Sequence, residues 1–159
     1  DWSASTFFSE EGHVCDVGAD GYRAPELLLG YPFYDYQVDI WSAGVMLLEW
    51  LLGSLEVFNF GQDDMELFAI AQLLGSDGFH DLLRRRQIYC PPETLLRIGY
   101  LNNSNWLLLS NNDRAFGTHS AETVDLLDRM LKWLPEDRIS AADALSHPFF
   151  ENFQENVDL

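Results

Sequence analysis

The stretch Val38 to Leu52 constrains the fold more than any other part of the chain. Its apolar residues fall on every side of a helix, not on one stripe. A helix of that kind is buried all round, so it needs neighbours on each face. Asp39, Ser42 and Glu49 interrupt the run, which is too short and too polar to span a bilayer. Gly53 stands where such a helix ends in a left-handed residue.

The rest of the chain supplies candidates for those neighbours. Asp64 to Leu74 reads as a helix with Leu67, Ile70, Leu73 and Leu74 on one face, stopped by Gly75. Ala24 to Leu29 reads as a short helix before Gly30, and Phe79 to Ile88 as another, broken before Pro91-Pro92. Ala121 to Leu134 is amphipathic, with Val124, Leu127, Leu131 and Leu134 at helical spacing. Ser140 with Asp143 three residues later is a capping-box pattern for a last helix that His147-Pro148 ends. Residues 1–21 read as loop. Residues 98–119 read as a long loop with an apolar island at Trp106 to Leu109. No strand pattern stands out, so the expected class is mainly α.

At 159 residues the chain suits one domain with a real core. Nine basic against 26 acidic residues give a net charge of −17. That field repels nucleic acid and anionic membranes. Solubility explains it, and so does a basic partner. Cys15 and Cys90 lie far apart in no metal-binding pattern and read as free thiols of a reducing compartment. The start, Asp1-Trp2-Ser3, carries no signal-peptide pattern, so an intracellular place, cytoplasm or nucleus, is expected. Asn102-Asn103-Ser104 is then a chance sequon. Arg84-Arg85-Arg86 is the one basic run, either a solvated helix face or a dock for an acidic partner. The four histidines show no metal spacing.

Three motifs add a resemblance. Tyr22-Arg23-Ala24-Pro25-Glu26 resembles the end of a protein kinase activation loop in its CMGC form. Asp39-Ile40-Trp41-Ser42-Ala43-Gly44 resembles the start of the central helix of the kinase lower lobe. Pro135-Glu136-Asp137-Arg138-Ile139-Ser140, followed by His147-Pro148-Phe149-Phe150, resembles the closing segment. Asp1-Trp2, Tyr34-Asp35-Tyr36 and Ile70-Ala71-Gln72-Leu73-Leu74-Gly75 are similar to the casein kinase II alpha subunit. The resemblance implies the helical C-terminal lobe of a kinase. It divides the chain into an activation segment (1–26), a central helix (38–53), a CMGC-type insert (about 75–120) and closing helices (121–153).

The resemblance also implies roles. Glu26 and Arg138 match a buried ion pair that ties the activation segment to the helical core. Asp39 matches a carboxylate that accepts N–H bonds from the catalytic loop, and Trp41 belongs to the same helix start. His147 fits a structural His-Pro turn. Asp1 matches the magnesium-holding acid, with Ser3 where the family has glycine. Ala19, Asp20, Gly21, Tyr22 and Arg23 occupy the substrate-positioning end of the activation segment. Asp20 stands where the family usually has arginine, so a preference for basic over acidic substrates or regulators is expected.

Phosphoryl transfer also needs a glycine-rich cover, a phosphate-binding lysine and a catalytic-loop Asp. The chain has no GxGxxG, no His-Arg-Asp, and Lys132 as its one lysine. No residue of this chain is therefore expected to be catalytic, and the N-terminal lobe is expected to be missing from it. The intact parent is expected to use ATP and magnesium as a serine/threonine kinase, and the chain alone to be inactive. The alternative is a pseudokinase-type scaffold or interaction module, since Ser3, Ala19 and Asp20 all depart from the family pattern.

Overall fold

The computed structural model describes residue 5, residues 7–102 and residues 121–150. Their regular structure is helical, with no strand among the described residues. The helices are α1 (Pro25–Leu28), α2 (Gln37–Leu52), α3 (Asp63–Leu74), α4 (Asp77–Arg86), α5 (Pro92–Ile98), α6 (Ala121–Met130) and α7 (Ala141–Leu145). A 3-10 turn, Pro135–Asp137, lies between the last two. The expected loop at 98–119 and its island fall almost wholly outside the described residues.

The central helix is α2. Trp41, Val45 and Leu48 are fully buried, and Leu51 nearly so. Gly53 ends it at φ 60° and returns its N–H to the carbonyls of Glu49 and Trp50. α6 crosses close because Gly44 has no side chain. A Cβ there would sit 2.8 Å from Leu131 Cδ2. Burial is not complete all round, however. Met46 and Trp50, one turn apart on α2, are each 57% exposed.

The other helices close the core on the remaining faces. α3 contributes Leu67, Ile70 and Ala71, α4 contributes Phe79 and Leu82, and α5 contributes Ile98. Ser76 sits at the α3–α4 junction and ties down the end of α5. Its N–H donates to Leu101 O at 3.0 Å, and its hydroxyl accepts from the Leu101 N–H at 2.8 Å. Ser140 caps α7 as expected, its hydroxyl accepting from the Asp143 N–H at 3.1 Å.

Two points differ from the sequence reading. α4 does end before Pro91-Pro92, but Pro92 then opens a helix that was not expected, α5. Proline suits a first helical position because no N–H is needed there. Second, α6 stops at Met130, short of Leu134. The carbonyls of Lys132 and Trp133 turn instead to the Arg138 guanidinium, at 2.9 and 3.4 Å.

α4 approaches the core through Gly78. A Cβ there would lie 2.5 Å from Trp133 Cδ1, while the Trp133 indole N–H donates to Gly75 O at 2.9 Å. Trp133 is thus fixed from both sides. Gly78→Ala should lower unfolding free energy by about 1–3 kcal/mol through overpacking, read by urea denaturation. Unchanged stability would show that Trp133 can move.

Candidate functional site

The structure brings Glu26 and Arg138 together across most of the chain. Both guanidinium nitrogens Nη1 and Nη2 meet the carboxylate oxygens at 2.7 Å, with both side chains buried. The same arginine donates to Gln37 O at 2.9 Å as well as to the two carbonyls before the 3-10 turn. Its plane lies 5.2 Å from the Trp41 ring centre. Every part of the planar fork therefore has a partner, which is what a buried guanidinium requires. Trp41 is fully buried, and its indole N–H finds no partner among the described residues.

The segment before Glu26 is held at several points. A tight turn joins the Tyr22 N–H to Ala19 O at 3.1 Å. Gly21, at φ +81°, faces Asn59, where a Cβ would come within 3.0 Å of its Cβ and 3.1–3.2 Å of its backbone. The Tyr22 hydroxyl donates to Glu49 at 2.7 Å, and the Ser42 hydroxyl donates to Tyr22 O at 2.9 Å. Arg23 places one terminal nitrogen 3.2 Å from both oxygens of Asp63 and lies 4.0 Å from Asp20. The order of these contacts follows the chain: α2 grips Tyr22, and α3 grips Arg23.

Two carboxylates in this site escaped the sequence reading. Glu49 is buried in α2 and accepts from Tyr22 and from the Glu56 and Val57 N–H groups. Its bond is the leading reason the Tyr22 phenol is raised above its ordinary pKa. The available signal was a carboxylate late in an otherwise apolar run. Glu66 on α3 is also buried, and burial pushes its carboxyl above the usual range, opposed by the Gly21 N–H and Arg23. No sequence signal separated it from Asp63 and Asp64.

A cavity of about 390 Å³ opens beside this segment, at the start of α2. Phe8, His13, Tyr34 and Tyr36 line its aromatic side, and Arg23, Asp35 and Asp39 its polar side. Asp39 is thus exposed to the cavity in the first turn of α2, where a carboxylate complements the helix dipole. Asp1 lies outside the described residues. Among the described residues no three His, Cys, Asp or Glu side chains group as metal ligands.

The remaining candidates sit away from this cavity. His147 is buried, with Nε2 2.9 Å from Asp125 and Nδ1 accepting from the Phe149 N–H at 3.2 Å. His147 first and then Arg129 hold the Asp125 carboxyl below its usual range. Arg84 and Arg85 pair with Asp81, and Arg85 and Arg86 with Glu136, so the basic run is a tied helix face. Every described lysine and arginine lies within 4.0 Å of a carboxylate. Cys15 is half-buried, Cys90 is buried, and both are free thiols that burial raises in pKa. No described helix is long and apolar enough to cross a membrane.

Residues 1–150 match the protein kinase domain. The chain belongs to the protein kinase domain family. It is 27% identical over 161 residues to a probable serine/threonine-protein kinase of Dictyostelium discoideum. The match covers 99% of this chain and 26% of that relative, so the chain spans about a quarter of the relative's length.

Two measurements test how this kinase segment is held. Glu26→Gln or Arg138→Met should each cost about 3–5 kcal/mol by leaving a buried charge without its partner. The double variant should recover part of that loss in a denaturation cycle, and strict additivity would deny the coupling. The second concerns Glu66, whose folded pKa is raised above the unfolded value of about 4.3. Between those two values the folded state binds the extra proton, so stability falls as pH rises. Glu66→Gln should therefore gain on the native protein from about pH 4 upward, with no difference below. A difference independent of pH would exclude the buried charge as its cause.

Proposed function

We propose that this chain is the helical lower lobe of a serine/threonine protein kinase of the CMGC group, close to the casein kinase II alpha type. The intact protein moves the ATP γ-phosphate to protein hydroxyls, and the chain alone is inactive. The observation that carries this reading is the anchored segment Ala19–Arg23 leading into the buried Glu26–Arg138 pair. Such anchoring presents a fixed backbone to a substrate peptide. Met46 and Trp50 exposed on α2 support a further helix packing there from the rest of the kinase. ATP and magnesium belong to that larger assembly, with Asp1 as a magnesium ligand.

The substrate class follows from charge. Asp20 is exposed at 69%, and the one cation of the segment, Arg23, already faces Asp63 and Asp20. Nothing basic remains there to receive an acidic peptide, so the reading assigns basic substrates or regulators, inside the cell, and neither nucleic acid nor membrane. A scaffold without catalysis is the second reading, favoured by Ala19 and Asp20 standing where the family pattern differs.

Phosphate transfer by the intact protein decides between them. Two peptides with the same serine, flanked by arginine or by glutamate, are compared. The kinase reading expects the basic peptide to lead in kcat/KM by about tenfold or more, the worth of one good charge pair. Asp20→Arg should reverse most of that preference. No transfer to either peptide under magnesium and ATP would leave only the scaffold.

A further inference from the structure

The segment before the anchored residues carries a bond that depends on protonation. The Ser9 N–H donates to His13 Nε2 at 3.0 Å, closing a short loop. Inside it the Ser9 hydroxyl accepts from the Glu11 N–H at 3.2 Å. An imidazole nitrogen accepts only when it carries no proton, so His13 holds its proton on Nδ1. Its backbone is fixed separately, its N–H donating to Pro32 O at 2.8 Å. Its ring lies 4.9 Å from that of Tyr34 and 6.0 Å from that of Phe8, and Phe8 in turn lies 5.5 Å from Tyr36. Tyr34 closes the set by donating to Val14 O at 2.9 Å.

We propose that His13 is a proton-sensitive clasp: neutral, it closes residues 9–13 into a loop that sets Phe8 and His13 in the lining of the cavity at the start of α2, and protonated, it releases that loop. Protonation turns Nε2 into a donor facing the Ser9 donor, and neither then has an acceptor. The ionisable groups that share the cavity are Arg23, Tyr34, Asp35, Tyr36 and Asp39. Glu10 and Glu11 flank His13 along the chain, and Cys15 lies just beyond it, its thiol 4.0 Å from His13 O. Arg23 is already drawn to Asp63. Asp35 and Asp39 therefore offer carboxylates to the imidazolium once it swings away from Ser9. Phe8 then loses its place against Tyr36, and the cavity next to Asp39 opens.

The clasp needs no assignment of activity, so its test stands apart from that of the kinase reading. Amide exchange of the intact protein is followed at about pH 7.5 and about pH 5.5, corrected for intrinsic rates. Protection of the Ser9 amide should fall about tenfold at the lower pH, the worth of one lost hydrogen bond. His13→Gln keeps an acceptor at both values, so Ser9 should stay protected. His13→Phe has none, so Ser9 should exchange fast at both. Equal protection of the native protein at the two values overturns the proposal. So does a pH-dependent loss that persists in His13→Gln, which would assign the titration to another group. If the phenylalanine variant does not fold, the native and glutamine arms still decide.

Discussion

The buried pair of Glu26 and Arg138 is the interaction on which the rest of the arrangement depends. Its guanidinium collects carbonyls from Gln37, Lys132 and Trp133 as well as the carboxylate. One side chain thereby joins α1, the start of α2 and the stretch after α6. Those carbonyls turn to it because a buried fork of donors must be satisfied in full. α6 ends at Met130, just before the two carbonyls that Arg138 collects. A buried ion pair is not in itself a source of stability, since desolvation offsets most of the attraction. What it supplies is a single allowed arrangement of three elements that are remote in sequence.

From that fixed point the polar intrusions in α2 make sense. Ser42 and Glu49 look misplaced in an apolar helix, yet both reach the same residue, Tyr22. Glu49 also gathers the turn at Glu56 and Val57, which leads toward α3. The central helix is therefore a pillar and also a reference surface for the segment in front of it. α3 adds the grip on Arg23, and Gly21 lets that segment lie flat against Asn59.

Much of this was legible beforehand. Helix α2 announced itself through apolar residues on all faces, and the Ser140 cap through its spacing. The Glu26–Arg138 pairing came from motif resemblance, because no local pattern links residues so far apart. The helix at Pro92–Ile98 was hidden because a proline pair reads first as a breaker. Glu49 and Glu66 were hidden for another reason. A carboxylate in a helix is normally a solvent-facing residue. Only the packing of two other elements against it reveals burial, and that information is tertiary. Asp39 was placed rightly on the first turn of α2, while Asp1 falls outside the described residues.

The pairing of every described cation has a consequence for the molecule as a colloid. Each described lysine and arginine has a carboxylate beside it, and with nine basic against 26 acidic residues the net field is that of the surplus carboxylates. A field of that sign opposes the approach of neighbouring copies at neutral pH, while apolar residues such as Met46 and Trp50 at the surface favour it. Near the isoelectric point of about 4.2 that repulsion vanishes while the apolar surface remains.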